Sequence, residues 1–183
     1  MEKSKYSHFI EGQNIYLREV RESDVNDDYY AWMNDPEVTQ FLEVRFYPQS
    51  SQRIAEFVKG VDADRNNVFL AIINRSTGRH IGNIKLGPIN WIHRIAEIGL
   101  LLGEKTDWGK GYATEAIRLV TEYAFKTLNL RKVTAGCYAN NVGSEKAFLK
   151  AGFAKEGIRK DHFFLNGSYV DLVLLGLINS PSK

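Results

Sequence analysis

Two periods of hydrophobic positions organise the chain, one of about two residues and one of helical spacing. Ile15 and Leu17 alternate against polar neighbours, so residues 14–20 read as a strand. Ser23 precedes a helical stretch running to about Met33, and Pro36 breaks it after Asp35. Ser50 and Ser51 open a second helix through Lys59, with Ile54, Phe57 and Val58 on one face. From there the chain turns β-rich. Residues 68–74 (VFLAIIN) end in the turn signal Ser76-Thr77-Gly78, and residues 80–86 are the expected hairpin partner. Residues 95–102 (IAEIGLLL) form a nearly continuous apolar run, as expected of a central strand covered on both faces. Residues 111–127 carry Ala113, Ile117, Val120 and Ala124 at helical spacing. A strand at 132–139 follows, then a short helix at 142–151 ended by Gly152. Asn166-Gly167, a strong hairpin signal, joins strands at 153–165 and 169–177.

The predicted order is strand, two helices, three strands, helix, strand, helix, two strands. That is an α/β (α+β) pattern, a mixed sheet with helices on both faces. One domain over residues 14–178 is expected, with a polar N-terminal segment at 1–13 and a flexible tail at 179–183. Composition changes this picture little, since 44% apolar and 25% charged residues are ordinary globular values. A net charge of +2 from dispersed basic residues argues against a nucleic acid or an anionic membrane as partner. One cysteine, Cys137, excludes an internal disulfide and a Cys-rich metal site, and reads as a small buried hydrophobe. His8, His80, His93 and His162 lack metal-ligand spacing, so no metal is expected; His93, in the loop before Glu97, is in position to touch a substrate. Residues 1–13 hold no apolar leader, and no run of eighteen apolar residues exists, so a cytoplasmic protein is expected, monomeric or homodimeric.

The candidate chemistry sits in Trp108-Gly109-Lys110-Gly111-Tyr112-Ala113-Thr114-Glu115-Ala116, between the apolar strand and a helix. Two glycines one residue apart let the backbone approach a ligand closely. The helix behind them presents unpaired N–H groups and the positive end of its dipole, a ready site for pyrophosphate. The nucleotidase pattern GxxxxGK[ST] is absent, and Thr114 stands where a dinucleotide fingerprint needs its third glycine.

A second motif narrows the choice. Asn140-Asn141-Val142-Gly143-Ser144 leads into Ala147-Phe148-Leu149-Lys150-Ala151-Gly152-Phe153. Together the two motifs resemble the GNAT superfamily of N-acetyltransferases, whose hallmark is [QR]xxGx[GA] followed by NxxS and a helix ending in GF. Trp108 replaces the usual Gln or Arg, as in the RimJ/RimL-type branch that acetylates ribosomal-protein N-termini. Trp32-Met33-Asn34-Asp35-Pro36-Glu37-Val38, Ala96-Glu97-Ile98-Gly99 and Asn166-Gly167-Ser168-Tyr169-Val170-Asp171 resemble the same branch. The resemblance covers about residues 12–178. It implies a mostly antiparallel central sheet, acetyl-coenzyme A as co-substrate, and transfer of its acetyl group by direct attack of a primary amine on the thioester. It also implies that the main chain of Gly109, Lys110, Gly111, Tyr112, Ala113 and Thr114 holds the pyrophosphate. Leu101 and Leu102 would then lie along the pantetheine arm, with Asn141 and Ser144 at the thioester.

The amine must lose a proton, because its solution pKa is about 10 if lysine-like or about 8 for an α-amine. Glu97, a carboxylate inside an apolar strand, is the candidate base, with burial expected to raise its pKa. Many superfamily members place a tyrosine acid in the helix before GF; that position here is Phe148, which cannot donate. Ser144 or Tyr138 is then the candidate donor to the departing sulfur, although Ser144, near the start of its helix, could equally serve as a cap. Between residues 19 and 37 the acids Glu19, Glu22, Asp24, Asp27, Asp28, Asp35 and Glu37 face one base, Arg21. Such a lip suits a cationic acceptor (a peptide N-terminus or a polyamine), while helix capping explains the same residues. Residues 81–90 also resemble transferases that modify amino sugars. Two other readings remain: transfer of a longer acyl group, or a non-catalytic acetyl-coenzyme A sensor.

Overall fold

The computed structural model describes residues 8–179, so the outermost parts of both expected terminal segments, 1–7 and 180–183, lie outside the described residues. The elements in chain order are β1 (Ile10–Glu11), β2 (Ile15–Glu19), α1 (Asp27–Asn34), α2 (Pro36–Thr39), α3 (Ser51–Ala63), β3 (Val68–Asn74), β4 (His80–Leu86), β5 (Ile95–Leu102), α4 (Tyr112–Lys126), β6 (Lys132–Tyr138), α5 (Val142–Lys150), β7 (Ala154–Leu165) and β8 (Ser168–Ile178). The strands form one sheet in the order β1-β2-β3-β4-β5-β6-β8-β7. Every neighbouring pair is antiparallel except β5 and β6, which run parallel.

Side-chain alternation divides the core. In β3, Leu70 and Ile72 join the layer under α4 and α5, which contribute Ile117, Val120, Ala124, Ala147 and Phe148. Ala71 and Ile73, one residue out of phase, face Tyr29 and Trp32 of α1 and Ile54 and Val58 of α3. Helices therefore cover both faces, as the sequence pattern implied. Among the described residues no helix is long and apolar enough to cross a membrane.

Three details differ from the sequence reading. Helix α1 begins after Asn26, whose side chain accepts from the Tyr29 N–H, and not at Ser23. The acid that follows Ser23 serves another purpose. Asp24 is buried and takes a bidentate bond from Arg18 at 2.7 and 2.8 Å, together with the Arg21 N–H. Second, Ile10–Glu11 pairs with Leu17 and Tyr16, so the sheet gains an edge strand within the polar N-terminal segment. Third, β5 is open on one face around Glu97 and Gly99, whereas further along Leu101 packs against the α1–α3 layer. Ala96 and Ile98 are buried, whereas Glu97 and Gly99 are exposed.

The motif's Glu115 is structural. Its carboxylate accepts from the Asn14 N–H and side-chain amide, each at 2.9 Å, and from the Ile15 N–H at 3.4 Å, tying α4 to the start of β2. Partial burial pushes this carboxyl up, but the donors from Asn14, Ile15 and Gln13 together outweigh it and hold it below the ordinary range. Glu115→Ala should cost about 1–2 kcal/mol in urea unfolding, typical for hydrogen bonds to a charged group. Because the native pKa is depressed, this contribution is complete above the ordinary value of about 4.3 and fades as pH falls through the lower native one. An equal deficit at pH 7 and well below pH 4 would contradict this role.

Candidate active site

A break in strand pairing builds the site. β5 and β6 pair only over Ile95↔Lys132, Ala96↔Val133 and Glu97↔Thr134. Beyond Glu97 the two strands part, and the rest of β5 has no neighbour on that side. A Cβ on Gly82 of β4 would come within 2.2 Å of the Leu101 carbonyl oxygen, so that carbonyl faces β4. Strand alternation then turns the N–H and C=O of Leu100 and the C=O of Leu102 toward the gap. The Leu102 carbonyl accepts from the Trp108 indole N–H at 2.9 Å, which anchors the glycine turn to the strand end. The substituted tryptophan of the motif is therefore a brace. Leu100 keeps a free donor and acceptor, an edge on which an extended amide chain can pair.

At the far end of the gap stands α4. Its N-cap, Gly111, adopts φ 88°, and no side chain caps the helix. Gly109 is also left-handed, at φ 76°. The first intrahelical bond runs from the Glu115 N–H to the Gly111 carbonyl, leaving the N–H groups of Tyr112, Ala113 and Thr114 at an open helix end. A cavity of about 480 Å³ joins this end to Leu100, Leu101 and Leu102 on one side and to Asn141, Ser144 and Ala147 on the other. Gly109, Gly111, Tyr112, Ala113 and Thr114 all line it. Lys110 does not. Its ammonium bonds Asp107 at 2.8 Å, and that carboxylate holds its pKa above the usual lysine range. That ion pair closes the turn.

These features suit acetyl-coenzyme A: uncapped N–H groups for the pyrophosphate, a free strand edge for the pantetheine amides, and an apolar slot between them. Among the described residues no group of three or more His, Cys, Asp or Glu side chains is placed to hold a metal ion.

Asn141 caps α5 by accepting from the Ser144 N–H at 3.1 Å, so Asn141, and not Ser144, is the cap. The Ser144 hydroxyl has no hydrogen-bond partner among the described residues. Phe148 is 2% exposed and packs edge-on against Phe153 in the core. Burial, with Glu145 nearby, pushes the Cys137 thiol up to about 11, so it stays protonated and is a poor nucleophile.

Tyr138, at the end of β6, is buried, and its hydroxyl donates to Glu43 at 2.6 Å. Burial and that bond both raise its pKa. Its ring stacks on Phe163 at 3.9 Å and meets Phe41 at 5.6 Å. The segment after α2 is thus fastened over the strand gap, and its Phe41 and Leu42 line the cavity. Neither Glu43 nor this segment carries a sequence signal, because the contact spans 95 positions.

Glu97 lies elsewhere than expected. It is exposed, at the rim of a second cavity of about 370 Å³ shared with Thr134, Gly136, Arg159, Phe163 and Leu172. Gly136 lies beneath it: a Cβ there would stand in ordinary contact, 3.7 Å, from the Glu97 carboxylate and 3.0 Å from the Leu172 side chain. The burial expected for this side chain is therefore absent. Glu97 instead occupies the open end of the β5–β6 split.

Residues 14–154 match the family model described as an acetyltransferase (GNAT) domain. The "Probable N-acetyltransferase YjcK" of Bacillus subtilis is 33% identical over 181 residues, covering 95% of this chain and 99% of that protein. Spermidine N(1)-acetyltransferase of Escherichia coli K12 is 29% identical over 159 residues, 84% of this chain and 75% of that one. The Vibrio cholerae spermidine N-acetyltransferase, solved with CoA and spermine, has the same fold, with a TM-score of 0.81 at 24% identity over 90% of this chain and 95% of that one. The split strands, the uncapped helix and this family match agree: the chain belongs to the GNAT acetyltransferases, acyltransferases that use acetyl-coenzyme A as co-substrate.

Proposed function

We propose that this chain acetylates the primary amine of a small molecule by direct transfer from acetyl-coenzyme A. The observation that carries the reading is the β5–β6 split, which has an anion-binding helix end at one side and an unpaired carboxylate, Glu97, at the other. When bound, acetyl-coenzyme A supplies an activated acyl carbon: the amine nitrogen bonds to it, the C–S bond breaks, and the sulfur leaves as thiolate. The protein has three tasks in that exchange. Tyr112, Ala113 and Thr114 hold the pyrophosphate by main-chain N–H groups, and Leu100 to Leu102 align the arm. Glu97 takes the amine's proton, directly or through a water. The Ser144 hydroxyl, unpartnered at the cleft wall, donates to the sulfur.

Tyr138 is the second candidate donor, but its hydroxyl is engaged with Glu43 and burial makes it a weaker acid. A thiol of pKa about 8.5 leaves without much help, so Ser144→Ala should lower turnover only about tenfold, or 1.4 kcal/mol of barrier. If neither Ser144→Ala nor Tyr138→Phe slows turnover threefold at unchanged cofactor affinity, the thiolate leaves without a protein donor.

The transferase reading is tested by free-thiol release from acetyl-coenzyme A across a panel of amines. Tight calorimetric binding of acetyl-coenzyme A with no thiol released for any amine would overturn it and leave a binding module. A preference for succinyl- over acetyl-coenzyme A would correct the acyl group alone.

A further inference from the structure

We propose that the acceptor bears an anionic group as well as its amine, and that Arg159 receives that group while Glu97 faces the nitrogen. This rests on the transferase reading above. Glu97 and Arg159 line the same cavity of about 370 Å³, yet among the described residues neither side chain has an ion-pair or hydrogen-bond partner. Opposite charges sharing one cavity without meeting are complementary to a ligand carrying both signs.

Two further charged side chains near this cavity are paired. Glu156, the second carboxylate on its wall, bonds Lys132 at 2.7 Å. It lies so close to Gly176 that a Cβ there would fall 2.4 Å from its carboxyl carbon. Lys160, next along β7, bonds Asp171 at 2.8 Å, and the Asp161 N–H bonds the same carboxylate at 3.1 Å. That clasp sits in a bulge: Arg159 pairs with Leu172 and Phe163 with Val170, so three residues of β7 face the single Asp171. The bulge draws Lys160 away and brings Phe163 flat against Tyr138, giving the cavity an aromatic wall. Among the described residues Arg159 is left as the one unpaired cation lining the cavity.

Of the seven acids between residues 19 and 37, Asp24 is held by Arg18, Glu19 by Arg21, and Asp35 and Glu37 both by Lys105, while Glu22, Asp27 and Asp28 have no ion pair among the described residues. Within the Glu97 cavity itself the charge arrangement favours a zwitterionic amine over a polyamine. A guanidinium accepts carboxylate and phosphate alike, so both belong in the test.

The experiment compares kcat/KM for matched pairs: an ω-amino acid and an amino-alkyl phosphate, each against the amine lacking the anion, with spermidine as the polycation. Wild-type protein should prefer each anionic member about 30-fold over its neutral twin. Arg159→Ala should bring that ratio within threefold, through KM, and Arg159→Lys should restore part of it. The larger ratio of the two pairs identifies the anion. Acetyl-coenzyme A affinity is measured in each variant to confirm an intact fold. Turnover on spermidine or neutral amines with no anionic preference, or a preference untouched by Arg159→Ala, overturns the inference and leaves the transferase reading standing. No turnover on any amine overturns both.

Discussion

Gly111→Val is expected to lower acetyl-coenzyme A affinity more than tenfold, at least 1.4 kcal/mol, while the fold survives. Two effects act together. Gly111 sits at φ 88°, where a β-branched residue is strained by roughly 1–2 kcal/mol. The valine relaxes by turning the first peptide of α4, and that motion misdirects the N–H groups of Tyr112 and Ala113. Its side chain also occupies the space the ligand needs. Among the described residues nothing lies within 4 Å of a Cβ built on Gly111, so the substitution meets no core atom. Loss of binding would then report on the ligand's place, not on packing. Gly111→Ala, with the same backbone demand and less bulk, should fall between wild type and valine. Wild-type calorimetric affinity in folded Gly111→Val would remove the pyrophosphate from this turn.

The alternation that divides Leu70 and Ile72 from Ala71 and Ile73 made the layered sheet legible in the sequence, because strand geometry turns a two-residue period directly into two faces. The glycine turn was legible for a similar reason: left-handed backbone and an uncapped helix start are local properties of a few residues. β5 shows where such reasoning stops. Its apolar run satisfies two demands that look alike in a sequence, burial under α4 and lining of a cavity, so coverage on both faces was expected where the face around Glu97 and Gly99 is open. The same ambiguity misplaced Glu97, whose neighbours in sequence are buried while its own side points into the split. The Lys110 side chain pairs with Asp107 three residues earlier, a contact the motif does not announce. The pairing of Tyr138 with Glu43 and the isolation of Arg159 depend on contacts between distant segments, and no periodicity encodes those. What the family motifs conveyed was the main-chain frame of the glycine turn; Glu97 was singled out from the sequence as well, whereas the unpartnered Arg159 emerged only from the folded arrangement.

Glu97→Gln should lower turnover about 10²-fold at neutral pH, the low end of general-base effects. The substitution keeps the side chain's size and removes its charge, so the cavity over Gly136 and the three residue pairs between β5 and β6 should persist. Because this carboxylate is exposed, its advantage must come from position. It stands where the strands separate, on the face away from α4, with space for an acceptor nitrogen or an intervening water. At pH 7 an amine of pKa about 10 is almost wholly protonated, so a fixed proton acceptor matters most there. As pH rises toward the amine's own pKa the free base supplies itself, and the deficit of Glu97→Gln should shrink steadily. An α-amine of pKa about 8 should reach that convergence about two pH units earlier than a lysine-like one. This dependence on the acceptor separates deprotonation from a merely structural loss, which would be the same for both amines at every pH. If folded Glu97→Gln turns over like wild type from pH 6 to 9 with both amines, the proton leaves by another route and Glu97 is only part of the acceptor wall.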